Sequence, residues 1–246
     1  MSNDLVGRAV YAVKTRVAQH PALALPIARM RGHGVVVSKD SDLLIEGYPR
    51  SGNTFAVVAL QRAQPSPLRI AHHLHAPAHA IAALRLGVPA VVVIRAPEDP
   101  VLGYTIWNPQ VTVEQALRGY VRFHEPLLPY AGDVLIATFD EVVTDYGAVV
   151  RRINRRYGTS FVVFEHTPEN VQAVFDEIDE HFRVQVGTGP QLERKVARPS
   201  EERDRLKGDR RAIYRGPRLS SLRARAEELY ERFADIRAAE PAPGPP

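Results

Sequence analysis

The segment Leu43-Leu44-Ile45-Glu46-Gly47-Tyr48-Pro49-Arg50-Ser51-Gly52-Asn53-Thr54-Phe55 decides how the chain is read. An apolar run of strand length leads into Gly47-x4-Gly52-Asn53-Thr54, and a helical pattern follows. This is the spacing of a P-loop, in which backbone N–H groups and a helix N-terminus surround a phosphate. Gly52 permits close approach of the backbone to an anion, and Thr54 adds a hydroxyl donor. One position departs from the nucleoside-triphosphatase pattern. Asn53 stands where Lys is expected, and the cation is Arg50, three residues earlier and inside the loop.

Outward from this loop, short apolar runs at 35–37, 43–46, 68–71, 90–94 and 134–138 are expected as strands. The runs at 43–46, 90–94 and 134–138 are apolar on both faces, as strands covered by helices on each side should be. Helical patterns fall between them, over 56–62, 78–86, 113–123 and 146–157, and later over 168–178 and 219–238. At the N-terminus, Val6, Val10, Val13 and Val17 recur near helical spacing, and this helix is expected to break near Pro21 and Pro26. Strands alternating with helices of this length predict a three-layer α/β, P-loop-like fold. Its central parallel sheet should hold about five strands flanked by helices. A single domain over 1–239 is expected, with the helical segment 1–31 included and a disordered Pro-rich tail at 240–246.

Composition narrows the chemistry. The 246 residues include no cysteine, which excludes disulfides, thiol catalysis and Cys-ligated zinc. No apolar run approaches the roughly 18 residues of a membrane span. The stretch 1–20 has no continuous apolar block of signal-peptide length, so a soluble, cytoplasmic protein without an integral membrane segment is expected. The net charge is +4, but residues 194–237 alone hold 14 Lys or Arg against 8 Asp or Glu. A basic segment of this kind serves nucleic acid, a membrane surface, an anionic ligand or a solvated helix face. It is flanked by acids, so a nucleic-acid partner is not expected.

The segment Tyr48-Pro-Arg-Ser-Gly-Asn-Thr-Phe55 resembles the 5′-phosphosulfate loop of the sulfotransferases that use 3′-phosphoadenosine 5′-phosphosulfate (PAPS). Their pattern reads Tyr-Pro-Lys/Arg-Ser-Gly-Thr/Asn-Thr-Trp/Phe. The resemblance continues in order from about 40 to 160. The run Ala90–Ile94 enters Arg95-Ala-Pro97-Glu-Asp99, similar to the family's Arg-x-Pro-x-Asp, where an Arg and a Ser hold the nucleotide's 3′-phosphate. Arg95 matches that Arg, whereas the Ser position is Gly103, so one hydroxyl donor is missing. The run 134–138 followed by Phe139-Asp140-Glu141 is similar to the family's strand and Tyr-Glu-Asp-Leu, with Phe139 in the Tyr position. The resemblance implies PAPS as cosubstrate, 3′,5′-diphosphoadenosine as product, and no metal. It implies nucleotide contacts from Arg50, Ser51, Gly52, Asn53, Thr54 and Arg95, with Arg198 and the basic 194–218 region, including Lys207-Gly208, completing the pocket. Tyr104, Trp107 and Tyr120 lie where an acceptor pocket could form, and core packing is the simpler reading of each.

His72, His73, His75 and His79 fall within eight residues. On a continuous strand His73 and His75 would share a face and His72 would oppose them. A metal site, ordinary structural histidines and a general base all compete for this cluster. The family's Lys-Thr-His-Leu-Pro at this place implies His75 as base, with His73 second should the alignment slip. The implied reaction is in-line sulfuryl transfer to a hydroxyl or amine of a small molecule, carbohydrate or lipid. His75 would take the proton, and Arg50 would stabilise the leaving phosphate. The main rival is a P-loop NTPase or small-molecule kinase using ATP and Mg, in which Asp140-Glu141 would follow a Walker-B strand. Neither the acceptor nor the oligomeric state is legible in the chain.

Overall fold

The computed structural model describes residues 2–32, 35–189, 192, 195 and 201–240. Two helices come first, α1 (Ser2–Val17) and α2 (Pro21–Arg31). The core then alternates β1 (Leu43–Gly47), α3 (Asn53–Ala63), β2 (Ile70–His72), α4 (Pro77–Leu86) and β3 (Ala90–Ile94). Two helices, α5 (Glu98–Trp107) and α6 (Val113–His124), and a short 3-10 turn lead to β4 (Leu135–Thr138). The chain closes with α7 (Phe139–Thr144), α8 (Tyr146–Tyr157), α9 (Pro168–Val186), α10 (Glu201–Arg215) and α11 (Ser220–Ala238).

The four strands form one parallel sheet in the order β2-β1-β3-β4. Every residue of β1 and β3 is buried, which explains the continuous apolar runs. Leu44, Ala71, Val92 and Ile136 face a core shared with α4, α5, α6 and α11. Leu43, Ile45, Val91, Val93 and Leu135 face the opposite core, made with α3, α8 and α9. The architecture is therefore three-layered α/β, with the strand–loop–helix of a P-loop-like fold at its centre.

The expected sheet of about five strands has four among the described residues. Of the run 35–37 only Val35 pairs, through an isolated antiparallel bridge to His72. Pro26 does not break the chain either. Pro21 opens α2 at its first turn, where the missing N–H has no partner to lose, and Pro26 sits inside the same helix. The strand expected at 68–71 occupies Ile70–His72 and ends there, so His73 and His75 do not alternate across a sheet. Both instead take left-handed backbone conformations, with φ of +62° and +52°.

The order β2-β1-β3-β4 makes β1 the switch point. The chain leaves it towards β2 on one side, and β3 lies on the other. In open α/β sheets the crevice beyond the carboxyl ends at such a point is where ligands bind. The loops 48–52 and 95–97 emerge there. No helix among the described residues is long and apolar enough to cross a membrane.

Candidate active site

Beyond the ends of β1 and β3 lies a cleft of about 1930 Å³. Its floor is the loop after β1, the histidine segment after β2 and the start of α5. Its walls include residues of α1, α2 and α9. Gly47 ends β1 where no side chain fits, because a Cβ there would come within 2.5 Å of the Val93 carbonyl oxygen. Gly52 caps α3 with φ +98°, and a Cβ there would meet the Phe139 ring at 3.2 Å. The loop is thus drawn close to its surroundings at both glycines.

The first-turn N–H groups of α3 have no intrahelical acceptors, and Asn53, Thr54 and Phe55 of that turn line the cleft, the setting a phosphate site needs. Arg50 lies in this loop in a left-handed conformation, φ +71°, and its guanidinium donates to the Lys195 carbonyl. Arg95, at the end of β3, donates to the Arg50 carbonyl at 3.1 Å and to Asp99 at 2.9 Å. Its guanidinium also lies 3.6 Å over the Phe139 ring. Tyr120 is buried and donates its hydroxyl to the Arg95 carbonyl at 2.7 Å, so it supports Arg95 without reaching the cleft. Arg50, Arg95 and Lys207 all line the cleft, Lys207 through an ion pair to Asp99. Lys195 stands beside them, its ammonium 3.9 Å over the Trp107 ring. This is a cationic mouth suited to a small polyanion.

The sequence-predicted residues divide. Arg50, Gly52, Asn53, Thr54, His75 and Arg95 line one cleft. Ser51 does not; its hydroxyl is buried and has no partner among the described residues. Asn53 turns its amide inward and donates to the Gly47 carbonyl at 3.1 Å, locking the loop to the strand it leaves. The Lys position of an NTPase is thereby used as a staple. Gly103 packs against the aliphatic stem of Arg50, 3.5 Å from where its Cβ would be. Tyr104 and Trp107 stack in the cleft wall with ring centroids 5.7 Å apart. Arg198 lies outside the described residues, as does the tail from 241 onward.

The histidines are not equivalent. His73 uses both ring nitrogens, Nε2 with the Thr54 hydroxyl at 3.0 Å and Nδ1 with His72. Burial and the neighbouring His75 push its pKa down to about 3, so it is neutral. His75 donates Nδ1–H to the Gly47 carbonyl at 2.8 Å, since a carbonyl can only accept. That fixes the tautomer and leaves Nε2 with a lone pair, unbonded among the described residues. Burial lowers the pKa of His75, and Glu46 acts against that shift. Arg50, His73 and His75 are the non-glycine residues with positive φ among those described, and all three sit at this cleft. Each such conformation costs on the order of 1–3 kcal/mol and collects at functional sites.

Glu46 and His79 were not singled out by the sequence as parts of one unit. His79 is fully buried, accepts from the Val37 N–H at 2.9 Å and donates to Glu46 at 2.8 Å. The signal available in the sequence was a carboxylate inside an otherwise apolar strand, Leu-Leu-Ile-Glu-Gly. Asp140 and Glu141 belong elsewhere. Asp140 is exposed and does not line the cleft, and Glu141 is held by Arg152 and Arg237.

No protein-family model matches the chain, and no curated protein matches it. Among solved structures it is similar to mouse sulfotransferase SULT7A1 complexed with PAP. The identity is 12%, over 78% of this chain and 90% of that one, with a TM-score of 0.40. A likeness of that degree carries no argument about activity.

Proposed function

We propose that the chain transfers a sulfuryl group from PAPS to an acceptor hydroxyl or amine. The observation that carries this reading is the placement of His75. Its Nδ1–H is tied to the last carbonyl of β1, and its Nε2 is left as a base beside a phosphate-type loop whose cation is Arg50. Features of the cleft itself support a nucleotide in it. The loop leads into a helix N-terminus with no side-chain cap, and it holds a glycine whose Cβ would crowd Phe139, with Arg50 and Arg95 within one hydrogen bond of each other. PAPS would supply the activated sulfur, bonded to a phosphate oxygen that leaves when the new bond to the acceptor forms.

Each residue has a task in this reading. His75 accepts the acceptor proton at Nε2, and the resulting imidazolium keeps its Nδ1–H bond to Gly47. Arg50 and the loop N–H groups meet the charge that grows on the departing 5′-phosphate. Arg50 acts by charge and hydrogen bonding, because guanidinium does not give up its proton. Arg95, with Lys207 beside it, would hold the 3′-phosphate by a two-pronged contact. The exposed Asp140 and the arginine-bound Glu141 give no support to the kinase-type alternative with ATP and Mg.

Incubation with sulfur-radiolabelled PAPS and a panel of alcohols, phenols, sugars and amines tests this directly. Label in an acceptor together with released 3′,5′-diphosphoadenosine is the expected result. Turnover of ATP with magnesium and no transfer of label would show the reading to be wrong.

A further inference from the structure

The first strand carries a charge where the fold has no use for one. Every other side chain of β1 is aliphatic or absent, and Glu46 is completely buried. Burying a carboxylate costs several kcal/mol unless partners repay it. Its partners are asymmetric. One oxygen receives the His79 Nδ1–H at 2.8 Å. The other receives the Gly47 N–H at 3.3 Å and lies 3.8 Å from Nδ1 of His75. The His79 bond alone describes a staple joining β1 to α4 and the Val37 segment. A staple has no need of a net charge, since a glutamine oxygen accepts the same proton.

Resting on the sulfuryl-transfer reading above, we propose that Glu46 is a positioning residue for His75: its buried carboxylate fixes the imidazole orientation through Gly47 and supplies the counter-charge for the imidazolium formed when Nε2 takes a proton. The Gly47 peptide is the shared element. Its N–H is held by Glu46, and its carbonyl holds His75. The other titratable groups that face His75 are cationic or neutral: Lys14 from α1, Arg50 from the loop, and the rings of His72 and of His73, the latter 5.6 Å away. Glu46 is therefore the negative group among the described residues that offsets them. Burial alone would raise its pKa, yet the hydrogen bond from His79 leads the effects that outweigh burial and keep it ionised.

Glu46→Gln keeps the acceptor for His79 and removes the charge. In the full chain, labelled at histidine, the His75 titration followed by nuclear magnetic resonance should move to lower pH by about one to three units, the usual effect of losing an opposite charge at this range. The Nδ1–H tautomer should remain, and kcat for the transferred group should fall about tenfold while nucleotide affinity holds. An unmoved His75 titration overturns the proposal and leaves Glu46 as a staple. If the variant does not fold, the wild-type Glu46 carboxyl resonance decides. A carboxylate that stays ionised throughout the His75 titration supports the counter-charge, and one that is neutral there overturns it. The titration is independent of turnover, so absence of sulfuryl transfer would defeat the proposed reaction without touching this result.

Discussion

Replacing His75 by asparagine removes the proposed base and little else. The Asn side-chain amide nitrogen falls near the position of histidine Nδ1, so it can donate to the Gly47 carbonyl, now 2.8 Å from Nδ1. Position 75 has φ +52°, a conformation that asparagine tolerates better than most residues, so the backbone should not suffer. What disappears is the Nε2 lone pair. General-base catalysis contributes about 10²- to 10⁴-fold, which at about 1.4 kcal/mol per tenfold is roughly 3–5 kcal/mol of transition-state stabilisation. His73 should not substitute, because both its nitrogens are engaged and its pKa is pushed down to about 3. The assay is single-turnover transfer from labelled PAPS, run beside calorimetry with 3′,5′-diphosphoadenosine. His75→Asn should lose at least about a hundredfold in the transfer rate with nucleotide affinity within about twofold. Retention of transfer to within about threefold would refute the assignment of His75.

Other expectations follow from the same geometry. Arg95→Ala removes the guanidinium above Phe139 and its bond to the Arg50 carbonyl. Loss of charge-assisted bonds worth about 1.5–3 kcal/mol should weaken 3′,5′-diphosphoadenosine binding by about 10- to 100-fold, with adenosine 5′-phosphate hardly affected, as competition calorimetry would report. The acid limb of kcat/KM should lie below the ordinary imidazole value of 6.5, because burial lowers the pKa of His75 and the base acts when neutral. A limb above 6.5 would contradict this. Glu141 is held below the ordinary carboxylate range: burial raises its pKa, but bonds from Arg237 and the Thr138 N–H, with the charge of Arg152, outweigh that. A depressed folded pKa means stability present above the unfolded value of 4.5 and lost as pH falls through the folded one. Glu141→Gln should therefore cost about 1–3 kcal/mol in urea unfolding at neutral pH, with the difference shrinking below pH 4.5.

The sequence made legible what rests on period and punctuation. The runs at 43–47 and 90–94 are aliphatic because both faces of β1 and β3 are covered, and α8 keeps the bounds Tyr146–Tyr157 because Gly158 ends it in a left-handed turn. Helix α5 escaped the periodicity because it is buried nearly all round, so Pro100–Ile106 shows no polar face to alternate with. Helix α10 escaped for the opposite reason. Its charged sequence carries almost no apolar stripe, and it is fixed to α5 by ion pairs of Arg211 and Arg215 with Glu98. At the cleft, Arg50, Thr54, His75 and Arg95 could be read together because three short motifs in order along the chain place them. The inward turn of Ser51 and Asn53 was not, because which side of a tight loop a side chain takes depends on backbone angles such as φ +71° at Arg50 and +98° at Gly52. The role of Glu46 was hidden similarly. Its partners lie 29 and 33 positions away in the chain, at His75 and His79, and only the parallel sheet brings them together.

Calorimetric titration of the full chain with 3′,5′-diphosphoadenosine in the absence of magnesium tests the central claim most directly. Saturable one-site binding, weakened by Arg50→Ala and Arg95→Ala and indifferent to added magnesium, is the predicted result. Absence of binding, together with magnesium-dependent binding of ATP, would contradict it.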